Sequence, residues 1–261
     1  MENAQSTDQR NGVRASILFV HGAGHGAWCW NDHFTGWFAA RGYDVLAPDL
    51  PHHGALDREG VKTAPLSTYV QTVAKAAVAL RSPVVLIGHS MGGFIIQKYL
   101  EDTSADLAIL LASTPPRGIF PMVLRMATRR PRTFLHTMRT GEATDSPRRT
   151  RDYFFSPPTS ELVIHEVHSR LQEESSQVIR DMMKGLRSEK VTTPMVVMGA
   201  ENDWLVAPPR DLKATADAFH TTHITFPGGH DMMLDFAWEQ VASAIDQTIA
   251  ERLRAQLGAR R

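Results

Sequence analysis

Short apolar runs recur along this chain and alternate with longer segments in which apolar residues fall at helical spacing. The short runs predict six strands, at residues 17–20, 43–47, 84–88, 107–112, 195–198 and 223–226. The longer segments predict helices at residues 27–40, at 66–80 with Ser67 as the N-cap, and at about 236–257. Such an alternation builds an α/β fold, in which helices flank both faces of a parallel sheet and sites gather at the carboxyl ends of the strands.

The stretch from 115 to 190 interrupts this alternation. It contains helix-like pieces and no clear strand, and it is broken by Pro115, Pro116, Pro121, Pro131, Pro147, Pro157 and Pro158. We therefore expect a helical cap at residues 115–190, inserted into an α/β core formed by residues 14–114 and 191–261. Residues 1–13 are expected to form a flexible tail.

The composition is typical of a soluble globular protein, with 43% hydrophobic and 21% charged residues. The 28 basic residues equal the 28 acidic residues, so the overall charge does not indicate a nucleic-acid partner. Cys29 is the one cysteine, which excludes an internal disulfide. The N-terminus is polar and no apolar run approaches the roughly 20 residues of a membrane span, so we expect a cytoplasmic protein without a transmembrane segment.

The most specific motif follows the third predicted strand, where residues 88–92 read Gly-His-Ser-Met-Gly. This is the G-x-S-x-G pattern of a serine nucleophile, which stands on a sharp, strained turn between a strand and a helix. A Cβ atom at Gly88 or Gly92 would clash where strand and helix approach each other. Because a buried strand precedes the motif and residues 94–100 can continue as a helix, we predict that Ser90 is a nucleophile.

A serine nucleophile needs a base, and the base needs an acid that orients it. The last predicted strand runs into Pro-Gly-Gly-His at residues 227–230, which places His230 at the carboxyl end of a strand. The preceding strand is followed by Glu201 and Asp203, and we predict Asp203 as the acid because it lies farther past the strand. Asp231 and Asp235 are close to His230 in sequence, and we expect them to hydrogen-bond the loop or to start the next helix.

Acyl transfer also needs N–H donors for the oxyanion of its tetrahedral intermediate. Met91, at the start of the helix after Ser90, supplies one backbone N–H. The small-residue loop at residues 21–26, after the first strand, supplies the other, and Ala23 is the predicted donor. This loop lacks the G-x-G-x-x-G spacing of a dinucleotide site, and no spacing of histidine, cysteine and carboxylate indicates a metal, so no cofactor is expected.

With these residues in place, the chain resembles the α/β-hydrolase superfamily over roughly residues 15–255. Its opening at residues 19–28, Phe-Val-His-Gly-Ala-Gly-His-Gly-Ala-Trp, is similar to the branch of plant methyl esterases and hydroxynitrile lyases, a pattern that bacterial carboxylesterases share. The resemblance implies Ser90 as the nucleophile, His230 as the general base and Asp203 as its partner. It also implies Ala23 and Met91 as oxyanion donors, in a sheet of about six strands.

Two positions depart from the lyases of this branch. These lyases carry a threonine at the position of Gly22 and a lysine at the position of Asp231, and those groups handle the cyanohydrin hydroxyl and the cyanide charge. An ester hydrolase needs neither group, so the resemblance favours ester hydrolysis.

The predicted cap carries an excess of arginine. Residues 117–151 contain nine arginines against Glu142 and Asp145, which predicts either a basic rim that attracts an anionic partner or, as we favour, a solvated face balanced elsewhere. Apolar residues between the arginines could line a pocket or simply hold the cap in place. Candidate substrate-binding residues are His25, at the pocket mouth, and Phe120, Met122 and Leu124. We expect His21 and His89 to be structural, and His52 and His53 to face either the site or water.

The sequence thus predicts a cofactor-independent serine esterase that acts on a small to medium-sized, apolar carboxylic ester. Three alternatives stay open: the same triad acting on a lactone, a thioester or a carbon–carbon bond, a ligand receptor with little turnover, and a cofactor-free oxygenase or peroxidase. A homodimer formed through the cap also stays open.

Overall fold

Six parallel strands form one sheet through the centre of the molecule. The computed structural model describes residues 14–55, 63–140 and 144–259, so the tail predicted at residues 1–13 lies outside the described residues. The strands are β1 (Ser16–Val20), β2 (Asp44–Leu46), β3 (Val84–His89), β4 (Leu107–Leu111), β5 (Met195–Ala200) and β6 (His223–Phe226). Every residue of β1, β4 and β5 is buried, as expected for strands covered on both faces. The predicted α/β fold with about six strands is confirmed.

The strand order is β2-β1-β3-β4-β5-β6. The strand after β1 lies on one side of it and all later strands lie on the other side, so the order of the sheet reverses between β1 and β3. Val20, the last residue of β1, pairs with Gly88 of β3. The loops that leave these two strands therefore start side by side. Open parallel sheets bind their ligands at such a switch point.

Eleven α-helices are found in the part of the chain that the structure describes. They are α1 (Trp28–Asn31), α2 (Phe34–Ala39), α3 (Leu66–Val78), α4 (Met91–Tyr99), α5 (Phe120–Arg129), α6 (Pro131–Thr140), α7 (Pro147–Phe154), α8 (Glu161–Arg170), α9 (Ser176–Met182), α10 (Pro209–Ala218) and α11 (Trp238–Ala259). None of these helices is both long and apolar enough to cross a membrane.

The single helix predicted at residues 27–40 is wrong, because α1 and α2 are separate. His33 leaves the helical conformation, with φ −136° and ψ −58°. The break lets Trp30 and Phe34 both pack against the buried Phe19, with ring centroids 4.7 Å and 5.9 Å from it. Burial of three aromatic rings here outweighs continuation of the helix.

The prediction of Ser67 as the N-cap of α3 is also wrong. The helix begins at Leu66, and Pro65 is the N-cap residue, without a side-chain hydrogen bond. The free N–H of Leu66 instead donates to Asp181 Oδ2 at 3.1 Å, a carboxylate from a distant part of the chain. A tertiary contact thus replaces the local cap.

Helices α5 to α9 and one 3₁₀ turn, Ser188–Lys190, lie between β4 and β5. Residues 115–140 and 144–190 contain no strand, in agreement with the helical character predicted for this segment. We call residues 115–190 the helical segment. That it acts as a cap over the site stays a prediction.

Candidate active site

Ser90 lies on a strained turn at the switch point of the sheet, between β3 and α4. Its backbone has φ +53° and ψ −118°, a conformation that L residues rarely adopt. The Ser90 N–H donates to Leu111 O at 3.0 Å, and Ser90 O accepts from Phe94 N at 3.3 Å and from Thr114 N at 3.1 Å. These bonds hold the strained residue in place, and strain of this kind is common at functional sites.

Three glycines allow this turn to form. A Cβ on Gly88 would lie 2.6 Å from Gly93 N, and a Cβ on Gly92 would lie 2.2 Å from Val20 O. A Cβ on Gly93 would lie 2.3 Å from Ser113 Oγ. The clash predicted for positions two before and two after Ser90 is therefore confirmed.

His230 and Asp203 form a buried pair beyond the ends of β6 and β5. His230 Nδ1 lies 2.7 Å from Asp203 Oδ2. The Asp203 carboxylate also accepts backbone N–H groups from Leu205 at 3.2 Å, Val206 at 3.0 Å and Ala207 at 3.0 Å. Burial opposes the charge on Asp203, but the nearby His230 and the N–H donors outweigh it and lower the pKa of Asp203.

The pair fixes the tautomer of His230. An ionised carboxylate can only accept, so His230 Nδ1 carries the proton that it donates to Asp203, and Nε2 is left to accept a proton. Burial disfavours the charged ring, but the Asp203 charge outweighs burial and raises the pKa of His230 above its ordinary 6.5. A base with this arrangement is suited to remove a proton from a serine near neutral pH.

The raised pKa of His230 gives a testable pH dependence. Only the neutral ring can accept a proton, so kcat/KM for an ester should fall on the acidic side with an apparent pKa above 6.5. A pH-stat assay from about pH 5 to 8 measures it, with circular dichroism over the same range as the control for unfolding. A flat profile in folded protein would contradict His230 as the base.

His89 and His21 form internal hydrogen bonds, in agreement with the structural role expected for them, and both rings are neutral. His89 Nε2 lies 3.0 Å from the carbonyl oxygen of His230, to which it donates. His21 Nδ1 donates to Gly22 O at 2.9 Å, and its Nε2 accepts the N–H of Leu50 at 2.9 Å. Burial and neighbouring histidines lower the pKa of both rings to about 3.

His25 is not at a pocket mouth, which corrects the sequence prediction. Its side chain is 1% exposed, with Nδ1 2.9 Å from Ala23 O and Nε2 3.0 Å from Asp231 Oδ2. Both neighbours are acceptors, so the ring carries two protons and forms an ion pair with Asp231. Burial opposes this charge, but the Asp231 carboxylate outweighs burial and raises the pKa of His25. Sequence reasoning did not predict the His25–Asp231 pair. The position of an acidic residue directly after His230 was the feature that could have indicated it.

The loop after β1 lies against the serine turn. A Cβ on Gly22 would be 3.0 Å from Ser90 Cβ and 2.9 Å from His89 Nδ1. Met91 begins α4 directly after Ser90. The two predicted N–H donors are therefore near Ser90 for different reasons. Ala23 follows Gly22, which packs against Ser90, and Met91 is the next residue after Ser90 in the chain.

The remaining pocket candidates differ in exposure. Phe120 and Leu124 are 56% and 53% exposed, whereas Met122 is partly buried. Phe154 of α7, a residue that the sequence reasoning missed, lies beside His230, with the two ring centroids 5.9 Å apart. The aromatic run at residues 153–155 was the signal that could have indicated it.

Several of the arginines in the helical segment are paired, as the interpretation of a balanced face predicts. Arg117 and Arg125 both bond to the buried Asp211. Two further ion pairs join Arg149 to Asp145 and Arg151 to Glu161, each at 2.8 Å. These contacts give the basic residues a structural role.

One cluster within the described residues has the composition of a metal site. Ligand atoms of His89, His230 and Asp231 lie within 4.8 Å of one another. His89 Nε2 donates to the His230 carbonyl, and Asp231 pairs with His25. We therefore interpret the cluster as a hydrogen-bonded network around His230.

The sequence of the chain was compared with known protein families and with individual proteins. The sequence model of the Alpha/beta hydrolase family matches residues 17–244. The chain is 33% identical over 125 residues to norfluorocurarine synthase 2 from Strychnos sp, covering 46% of this chain and 45% of that protein. It is 35% identical over 107 residues to the protein named "Probable esterase PIR7A" from Oryza sativa subsp. indica, covering 39% and 40%. The matched part thus spans less than half the length of these relatives.

Solved structures share the fold. A methylesterase protein from Arabidopsis superposes with a TM-score of 0.68 at 18% identity, over 90% of this chain and 99% of that one. At this identity the likeness concerns the fold alone.

Proposed function

The chain belongs to the alpha/beta hydrolase family, and on that premise we propose that it is a serine hydrolase that cleaves a small to medium-sized, apolar carboxylic ester through an acyl-enzyme on Ser90. The observation that carries the proposal is the buried Asp203–His230 pair, with its Nδ1–Oδ2 distance of 2.7 Å, at the sheet edge that holds the strained Ser90. Relatives named as esterases support the reaction class.

The reaction proceeds in two halves. Ser90 Oγ attacks the ester carbonyl while His230 Nε2 takes the hydroxyl proton, and the imidazolium then donates that proton to the leaving alkoxide. Water activated by His230 attacks the acyl-enzyme and releases the acid. Asp203 keeps Nε2 unprotonated beforehand and stabilises the imidazolium when it forms.

The oxyanion is held by main-chain donors. The N–H groups of Ala23 and Met91 bind the negative oxygen of the tetrahedral intermediate. The first N–H group comes from the loop after β1 and the second from the N-terminus of α4, where the unpaired N–H groups and the helix dipole favour a negative charge.

Apolar side chains between the helical segment and the loop after β5 support an apolar substrate. Met126 and Tyr153 cluster with Leu205 and Val206, all buried, with partly buried Met122, Phe134, Phe154 and Trp204 packed against them. Tyr153 stacks on Trp204 at a centroid distance of 5.8 Å, so α7 lies over the loop that carries Asp203. In this arrangement the helical segment acts as a cap.

The structure adds a reason against cyanohydrin cleavage. The Cβ of a threonine at position 22 would approach His89 Nδ1 to 2.9 Å and Ser90 Cβ to 3.0 Å. Position 231 holds a buried carboxylate paired with His25, in place of the lysine whose positive charge would bind cyanide. Ester hydrolysis requires no group at either position.

A substrate panel tests the proposal. Purified protein is assayed with p-nitrophenyl esters from acetate to laurate, a γ-lactone, an acyl thioester and mandelonitrile. We expect the highest kcat/KM for an ester of short or medium chain and none for mandelonitrile. Turnover of the lactone or thioester alone would replace the ester assignment, and tight binding without turnover would favour a receptor.

A further inference from the structure

A second histidine–carboxylate pair, in which His53 is buried and Glu174 partly buried, reaches the loop that carries Ala23. Glu174, between α8 and α9 in the helical segment, has a side chain that is 12% exposed, and its Oε2 lies 3.2 Å from His53 Nε2 and 3.2 Å from Gly24 N. Its Oε1 accepts the Tyr69 hydroxyl at 2.7 Å and the Ser175 N–H at 2.7 Å. One carboxylate thus joins the helical segment, α3 and the loops after β1 and β2.

The pair is ionised. His53 Nδ1 donates to Pro51 O at 2.9 Å, and Nε2 lies at ion-pair distance, 3.2 Å, from Glu174 Oε2, without the geometry of a hydrogen bond. Burial opposes each charge, but their mutual attraction outweighs it, and it raises the pKa of His53 and lowers that of Glu174. Glu174 therefore presents a full negative charge to the Gly24 N–H.

This contact fixes one peptide group of the loop at both ends. The Ala23 carbonyl accepts from His25 Nδ1 at 2.9 Å, and the N–H of the same peptide, on Gly24, donates to Glu174. Gly24 has φ +70°, and a Cβ there would lie 2.9 Å from Gln172 O. Gln172 N also donates to Gly24 O at 2.8 Å.

The preceding peptide group is fixed at its carbonyl end. Gly22 O accepts from His21 Nδ1 at 2.9 Å and from His25 N at 3.3 Å. Its N–H end is the N–H of Ala23, the proposed oxyanion donor. The direction of that N–H depends on the two peptide planes that flank Ala23, because the planes are linked only through the φ and ψ angles of this residue.

We propose that Glu174 is a positioning residue, which holds the Ala23–Gly24 peptide so that the Ala23 N–H points to the oxyanion of the tetrahedral intermediate. The inference rests on the proposed function of Ser90 and Ala23. It assigns the helical segment a role in the chemical step, in addition to covering the substrate.

The test compares Glu174→Gln with Glu101→Gln. Glu101 is a matched control, since its side chain is fully buried and accepts the Arg187 N–H at 2.8 Å and Lys98 Nζ at 2.8 Å, away from the loop. In Glu174→Gln the new side-chain amide must turn its NH₂ group toward one of the donors that the carboxylate accepts. We expect kcat for a p-nitrophenyl ester to fall about tenfold to a hundredfold in Glu174→Gln with KM nearly unchanged, and to stay near wild type in Glu101→Gln.

Two further measurements separate positioning from general stability. Affinity for a trifluoromethyl ketone, which forms an oxyanion on the serine, should fall in parallel with kcat/KM, whereas urea unfolding should show similar losses in both variants. If Glu174→Gln does not fold, Tyr69→Phe removes one bond to the carboxylate and should lower kcat a few-fold.

The outcomes are distinct. Wild-type kcat and ketone affinity in a folded Glu174→Gln or Tyr69→Phe variant would overturn the positioning role and leave the serine hydrolase intact. A wild-type protein that neither hydrolyses esters nor reacts with a fluorophosphonate would overturn the proposed function itself, and the positioning role with it.

Discussion

Replacing Ser90 with alanine is expected to reduce hydrolysis of a p-nitrophenyl ester by about a million-fold, to the limit of detection. Without the Oγ nucleophile no acyl-enzyme can form, and His230 has no hydroxyl proton to accept. Alanine keeps the Cβ of serine, so the strained turn at φ +53° and the closely packed glycines around it are preserved. Steady-state kinetics with the purified variant measures the effect.

Ser113→Ala is the matched control. Ser113 is a buried serine at the same edge of the sheet, and its Oγ donates to Thr114 O at 2.9 Å and accepts from Gln97 at 2.9 Å. Its loss should cost about 1 kcal/mol of stability and leave turnover within a few-fold of wild type. Substantial turnover by Ser90→Ala, or equal loss in both variants, would contradict the assignment of Ser90.

Replacing Asp203 with asparagine is expected to lower kcat by about ten-thousand-fold. One oxygen of the carboxylate accepts from Leu205 N and Val206 N, and the other accepts from Ala207 N and His230 Nδ1. In either orientation, the NH₂ group of asparagine faces a hydrogen-bond donor. In one orientation it is repelled by the backbone N–H groups of Leu205 and Val206. In the other it faces His230 Nδ1 and favours the tautomer with the proton on Nε2, which cannot act as the base.

Glu201→Gln tests the choice between the two carboxylates of this loop. Glu201 follows β5 directly and is exposed, so its amide variant should keep wild-type kcat. Stopped-flow or steady-state assays of both variants with one ester give the comparison. A large loss in Glu201→Gln with normal activity in Asp203→Asn would exchange their roles.

Local sequence patterns predicted the sheet and the turn that carries Ser90. Apolar runs predicted all six strands to within two residues at each end, since buried strands of a parallel sheet are nearly continuous apolar segments. Glycines at 88 and 92 predicted the turn at Ser90, because the close approach of strand and helix there is a property of that short segment. The loops that carry Asp203 and His230 could be predicted for the same reason, as each follows its strand directly.

The contacts that depend on distant segments could not be predicted. Ser67 looks like a cap, yet the Leu66 N–H is satisfied by Asp181. His25 looks like a residue of a pocket mouth, yet it pairs with Asp231 across the sheet edge. Glu174 bonds to Gly24, which lies 150 residues earlier, and no local pattern marks either residue for the other.

The histidines illustrate the same limit. His21, His25, His53 and His89 all follow strands or lie beside glycines, and the sequence does not distinguish their charges. The structure does so through their partners. His21 has one donor and one acceptor beside its nitrogens and is neutral, whereas His25 bonds to two acceptors and is charged. His53 donates to Pro51 O and forms an ion pair with Glu174, so it is charged as well.

Mass mapping after reaction with a fluorophosphonate identifies the nucleophile directly. We expect a single phosphonyl adduct on the peptide that contains Ser90, formed in step with the loss of esterase activity. The adduct should be absent in Ser90→Ala and should form slowly in Asp203→Asn. Activity lost with the adduct on another residue, or full esterase activity in protein labelled completely at Ser90, would contradict Ser90 as the nucleophile.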